Sequence, residues 1–175
     1  ETQTLQLVSA SMLPGTTGNS ASFPVALSAD GRRVLFNSRA TDLVDGMVDN
    51  NFDAYDAFAF DRFDGSRTLI SHAAGLPLQT ANRQSLLKGI TADGLRASFT
   101  SEASDLIAGL TDTNFAEDVF VHDLAGSTTQ LISHAAGTPL VAANRGATGG
   151  LFNADGRKLL LASRSGDLDP GSLDG

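Results

Sequence analysis

Hydrophobic residues in this chain come in short runs bounded by Gly, Asp and Ser. That pattern favours strands over helices. It predicts a first strand at 23–28, 86–91 and 150–153, and a second at 33–38, 95–101 and 158–163. Asp-Gly lies between each pair, and this dipeptide tolerates the positive φ of a tight hairpin. A third strand is predicted at 57–61 and 119–123. Asp64-Gly65 or Ala125-Gly126 then turns the chain into a fourth at 67–71 and 129–133. Residues 4–9, TLQLVS, match the fourth strand as well. The one weakly helical stretch is 79–88.

The same elements recur on a fixed beat. Ala-Asp-Gly appears with its Asp at 30, 93 and 155, intervals of 63 and 62 residues. SHAAG starts at Ser71 and again at Ser133. Asp42, Asp105 and Asp167 each precede Leu, and Asn19, Asn82 and Asn144 keep the same rhythm. The chain is about 2.8 copies of one unit of four antiparallel strands, the pattern of a propeller blade. The fold class is therefore all-β, a partial β-propeller. Its units are 1–20 (a fourth strand), 21–72, 84–134 and 147–175 (incomplete). Two connections in each unit are long, those after the second and the fourth strands. Strands alternate in direction, so both emerge on one face, where binding function is expected.

Composition narrows the partners. The net charge is −8 and no cysteine is present. An acidic surface argues against nucleic acid and suits divalent cations. Without cysteine there are neither disulfides nor thiolate metal sites. No apolar run approaches the ~20 residues of a membrane helix, so membrane insertion is not expected. The chain begins with Glu1, which reads as a processed form or a piece of something longer.

The connection after the second strand carries the candidate chemistry. DNNFDAYD places Asp49, Asn51, Asp53 and Asp56 ahead of a strand, and DTNFAED places Asp112, Asn114, Glu117 and Asp118 likewise. Asp174 is the counterpart of Asp49 in a third copy. Alternating hard oxygen ligands suit Ca²⁺, which accepts six to eight of them. Only the opening of an EF-hand is matched, with no Gly at position 6 and no Glu at position 12. The competing reading makes these residues turn formers through Asx hydrogen bonds. Recurrence in both copies points to a structural ion, one per blade. Asp30, Asp93 and Asp155 read as turn residues. Asp42, Asp105 and Asp167 read as loop braces, and Asn19, Asn82 and Asn144 as loop fixers.

His72 and His134 are equivalent positions, hence architectural. His122 is placed on an outer edge of its strand. The histidine spacings do not suggest zinc. There is no G-x-S-x-G elbow. Gly146 to Gly150 lacks the Lys-Ser/Thr of a phosphate loop. Arg83 and Arg145 lie on the expected binding face and could meet an anionic partner.

SADGRRVLFNSRATDLV, DNNFDAYDAFAFD and TLISHAAG resemble the WD40-like (PD40) repeats of TolB-type bacterial propellers. The similarity is greatest to the long-repeat version with an Asp-x-Asn loop. The resemblance covers nearly the whole chain and speaks to fold more than to activity. It implies a noncatalytic binding or structural scaffold of an exported protein, secreted, periplasmic or at the cell surface. A protein or glycan ligand is expected on the acidic-loop face. Closed propellers carry four to eight blades, so the rest of the ring is expected from a longer chain or from oligomerisation. Two alternatives stand beside this: a propeller domain of a secreted hydrolase or lyase with its catalytic residues elsewhere, and a subunit of an extracellular assembly.

Overall fold

The hairpins form where the Asp-Gly turns place them. A computed structural model describes residues 5–168. The first blade is β1 (Ser22–Leu27), β2 (Arg33–Ser38), β3 (Asp56–Asp61) and β4 (Arg67–Leu69), antiparallel and in chain order. A small hairpin follows, β5 (His72–Ala73) with β6 (Leu76–Thr80). The second blade is β7 (Ser85–Ile90), β8 (Arg96–Ser101), β9 (Asp118–Asp123) and β10 (Thr128–Leu131), again ordered as in the chain. β11 (Ala147–Phe152) and β12 (Leu159–Ser163) make one more hairpin. Among the described residues there is no helix.

Each Asp-Gly turn is built alike. The carboxylates of Asp30, Asp93 and Asp155 accept the N–H two residues on, at 2.9, 3.0 and 2.8 Å. The following glycines sit at φ 69°, 71° and 68°, a region costly for any side chain. The first strand of every unit also carries a bulge at the same place, after Pro24, Leu87 and Gly149. A bulge increases local twist, so the repeat specifies the curvature of each blade as well as its pairing.

Each blade lays its first strand across the blade before it. β7 packs across β1, β2 and β3, and β11 across β7, β8 and β9. The alternation in DAFAFD explains the fit. Phe58 and Phe60 enter one cluster, with Phe36 and Leu43. Ala57 and Ala59 face the other way, into a cluster shared with Leu87, Phe99 and Phe120 of the second blade. Small residues on one face thus receive large ones from the next blade. The repeated Asp and Asn residues meet each other, so that each Asp braces the connection before its unit's first strand and not the loop that follows it. Asp42, Asp105 and Asp167 each accept the backbone N–H of Asn19, Asn82 and Asn144 through Oδ1, at 2.9, 3.0 and 3.0 Å.

Three expectations need correction. Residues 79–88 are not helical, because they span β6, a short connection and β7, each paired elsewhere. The described part of 4–9 forms no strand. It lies beside β4, where the Val8 carbonyl accepts from Arg67 Nε at 2.7 Å. His122 does not face an outer edge. It is buried, and its ring meets His72 edge-on at 5.6 Å. The reason is general to stacked blades: β9 is covered on both faces, so alternation assigns no residue to solvent. Burial, then the charge of His72, pushes the His122 pKa down to about 4.

Candidate functional site

The two long connections of each blade run side by side. Val48 bridges Gln79 in parallel, and Thr111 bridges Val141 in the next unit. The acidic loops are therefore tied to the connection that leads into the following blade, on one common face.

The first loop is organised inward. Asp49 Oδ1 accepts Asn51 N–H at 2.9 Å and the Thr80 hydroxyl at 3.5 Å. Asn51 Nδ2 donates to Asp56 Oδ1 at 3.0 Å and to the Arg83 carbonyl at 3.5 Å. Asp56 is buried, and its Oδ1 also accepts Ser71 Oγ at 3.1 Å. Ser71 Oγ in turn accepts Ala57 N–H at 3.0 Å. This hydroxyl takes the place of a ladder partner, which explains why β4 stops at Leu69. Burial pushes the Asp56 pKa up to about 7, and the charge of Asp49 adds to the shift. Asp53 stands apart, exposed, with Arg39 Nη1 at 3.8 Å.

The second loop repeats the plan with changes. Asp112 Oδ1 accepts Asn114 N–H at 3.0 Å. Asn114 Nδ2 donates to the Ala143 carbonyl at 2.7 Å and to Asp118 Oδ2 at 3.3 Å. Ser133 Oγ donates to Asp118 Oδ1 at 2.7 Å and accepts Val119 N–H at 3.0 Å. Burial raises Asp118 to about 6. Glu117 leans away toward Thr100 Oγ1 at 3.5 Å. Asp174 lies outside the described residues. Each Asn–Asp pair is thus brought together with a Ser two residues beyond the fourth strand. Ser71 and Ser133 were visible in the sequence only as the first residue of the repeated SHAAG. Arg83 and Arg145 are exposed on this face, Arg83 tied in by its carbonyl.

The structure adds a feature at the loop tips. Phe52 and Phe115, equivalent positions 63 apart, are 97% and 82% exposed. Both take left-handed backbone, φ 56° and 54°. A bulky residue there is strained unless its surroundings impose it. The Asx turns at Asp49 and Asp112 impose it, and the rings stand out into solvent. The Asn-Phe dipeptide, repeated in both loops, was the available signal.

No family model matches this chain, and no curated protein does. A comparison with solved structures finds TolB from Acinetobacter baumannii at 16% identity and a TM-score of 0.47, over 86% of this chain and 28% of that one. The chain therefore spans well under a third of that protein's length.

Proposed function

We propose that this protein is a noncatalytic binding or structural module of an exported protein, with Ca²⁺ bracing its acidic loops and a protein or glycan partner on the loop face. The repeated exposed phenylalanines carry the reading. Phe52 and Phe115 stand exposed at equivalent loop tips, and an aromatic ring offered this way is a contact surface for an apolar side chain or a sugar ring. The hydroxyl–carboxylate pairs, the arrangement closest to a catalytic one, are committed to the backbone, since Ser71 and Ser133 accept strand N–H groups.

A Phe52→Ser/Phe115→Ser double variant, screened beside the parent on glycan and peptide arrays, is expected to lose the parent's ligands at unchanged melting temperature. Ligands retained by the variant would show that binding lies elsewhere. For the ion, Ca²⁺ is expected to raise the melting temperature and EGTA to lower it. Identical melting under both treatments removes the calcium clause.

A further inference from the structure

We propose that the first acidic loop alone holds a divalent cation, bound by Asn51 Oδ1 together with Asp49 and Asp56, while the second loop closes on itself. The proposal rests on the calcium reading above and narrows it to one site. One difference between the two loops is decisive, at the side-chain oxygen of the asparagine. In the second, Ala116 N–H donates to Asn114 Oδ1 at 2.7 Å, so that amide oxygen is satisfied. In the first, Asp53 occupies the position of Ala116. Its backbone is left-handed, φ 64°, and its N–H turns to Asp49 Oδ2 at 3.5 Å. Asn51 Oδ1 is left buried without a hydrogen-bond partner, on a residue only 8% exposed. Native structures rarely leave such an acceptor orphaned, and a bound ion is one of the explanations that removes the penalty.

The rest of the residue is held by the two carboxylates. It is anchored to Asp49 through its backbone N–H and to Asp56 through Nδ2, which places Oδ1 beside them. The local arginine does not fill this role. Arg39 stacks on Tyr55 at 4.3 Å and approaches Asp53 at 3.8 Å. Among the described residues no three acidic or imidazole side chains converge, so the set is two carboxylates and one amide oxygen. Hard divalent cations accept that mixture and complete their shell with water, and Ca²⁺ tolerates its irregular geometry best.

The test is calcium titration by calorimetry at about pH 8, where ordinary carboxylates are ionised, with terbium emission as a second readout. Tyr55 is the only tyrosine and there is no tryptophan. Terbium emission excited through tyrosine therefore reports from the first loop. The expected result is one ion per chain, tyrosine-sensitised emission displaced by Ca²⁺, affinity at least roughly ten-fold weaker in Asp49→Asn, and parent affinity in Asp112→Asn. No binding in the parent by either readout would overturn both this site and the calcium brace. Two ions per chain, or loss in Asp112→Asn with retention in Asp49→Asn, would overturn the single-loop assignment and leave the brace standing. The parent's stoichiometry decides the matter even if a variant fails to fold.

Discussion

Phe120→Ala is expected to destabilise the protein by about 3–5 kcal/mol and to lower its melting temperature by roughly 10 °C or more. Phe120 is 1% exposed and stacks on Phe99 with ring centroids 5.4 Å apart and planes at 19°. Phe36 and Phe58 make the same pair one blade earlier, at 5.5 Å and 19°. The two pairs do different jobs. Phe58 belongs to a cluster built from the first blade and its flanking loops. Phe120 belongs to the cluster in which Leu35, Ala57 and Ala59 of the first blade meet Leu87, Phe99 and Leu131 of the second. Alanine at 120 leaves a cavity at that junction. The facing residues are small and sit in paired strands, so the site cannot collapse to fill it. Loss of stability should therefore come with loss of coupling, because stacked repeats hold together through nearest-neighbour interfaces. Urea unfolding followed by Tyr55 fluorescence and by far-ultraviolet circular dichroism should coincide in the parent and separate in the variant. A loss under about 1 kcal/mol, with coincident transitions, would mean that this junction is not where the blades are joined.

Much of the blade architecture was legible because it rests on local chemistry. Asp-Gly turns recur with fixed spacing, and apolar runs between them place most strands to within a residue or two. Asp42 and Asn19, with their two copies, were readable as loop residues on the repeat but not as partners, since they meet across 23 residues. What the sequence hid depends on partners distant along the chain. His122 reads as an edge residue until a neighbouring blade is known to cover β9. Asp56 and Asp118 read as loop carboxylates equal to Asp49 and Asp112. In fact they are the first residues of β3 and β9, turned inward and met by Ser71 and Ser133 from 15 residues later. Nothing in an acidic loop declares which carboxylate will face solvent. The exposure of Phe52 and Phe115 ran against the usual rule for aromatic residues, and a positive φ at phenylalanine is not a choice that composition predicts.

Asp56→Asn is expected to stabilise the protein in calcium-free buffer at alkaline pH and to change little below about pH 3.8. Asp56 has an ordinary pKa of 3.8 and is raised to about 7 by burial in the folded chain. A raised carboxyl pKa means that the folded state holds its proton more tightly than the unfolded state. The stabilising contribution is therefore full below 3.8 and is lost as pH rises through about 7. The loss amounts to as much as about 4 kcal/mol. Asp61 has the opposite sign: Arg32 holds it below the usual carboxylate range, so its contribution is lost only as pH falls below about 4. Asparagine at 56 keeps the shape of the neutral acid. Both hydrogen bonds to Asp56 arrive at Oδ1, from Asn51 and from Ser71, and an amide oxygen accepts both. The same substitution at 118 should behave differently. There Ser133 uses Oδ1 and Asn114 uses Oδ2, so an amide at that position would set its own nitrogen against one of these two donors. Asp118→Asn is expected to be destabilising across the whole range. Thermal melts from about pH 3.5 to 9 in EDTA check both, with parent and Asp56→Asn converging at the acid end and diverging at the alkaline end. Added Ca²⁺ should then restore the parent at alkaline pH and leave Asp56→Asn unmoved. Parallel melting curves for parent and variant at every pH would show that Asp56 is not a buried titrating group, and the inward organisation of the first loop would have to be redrawn.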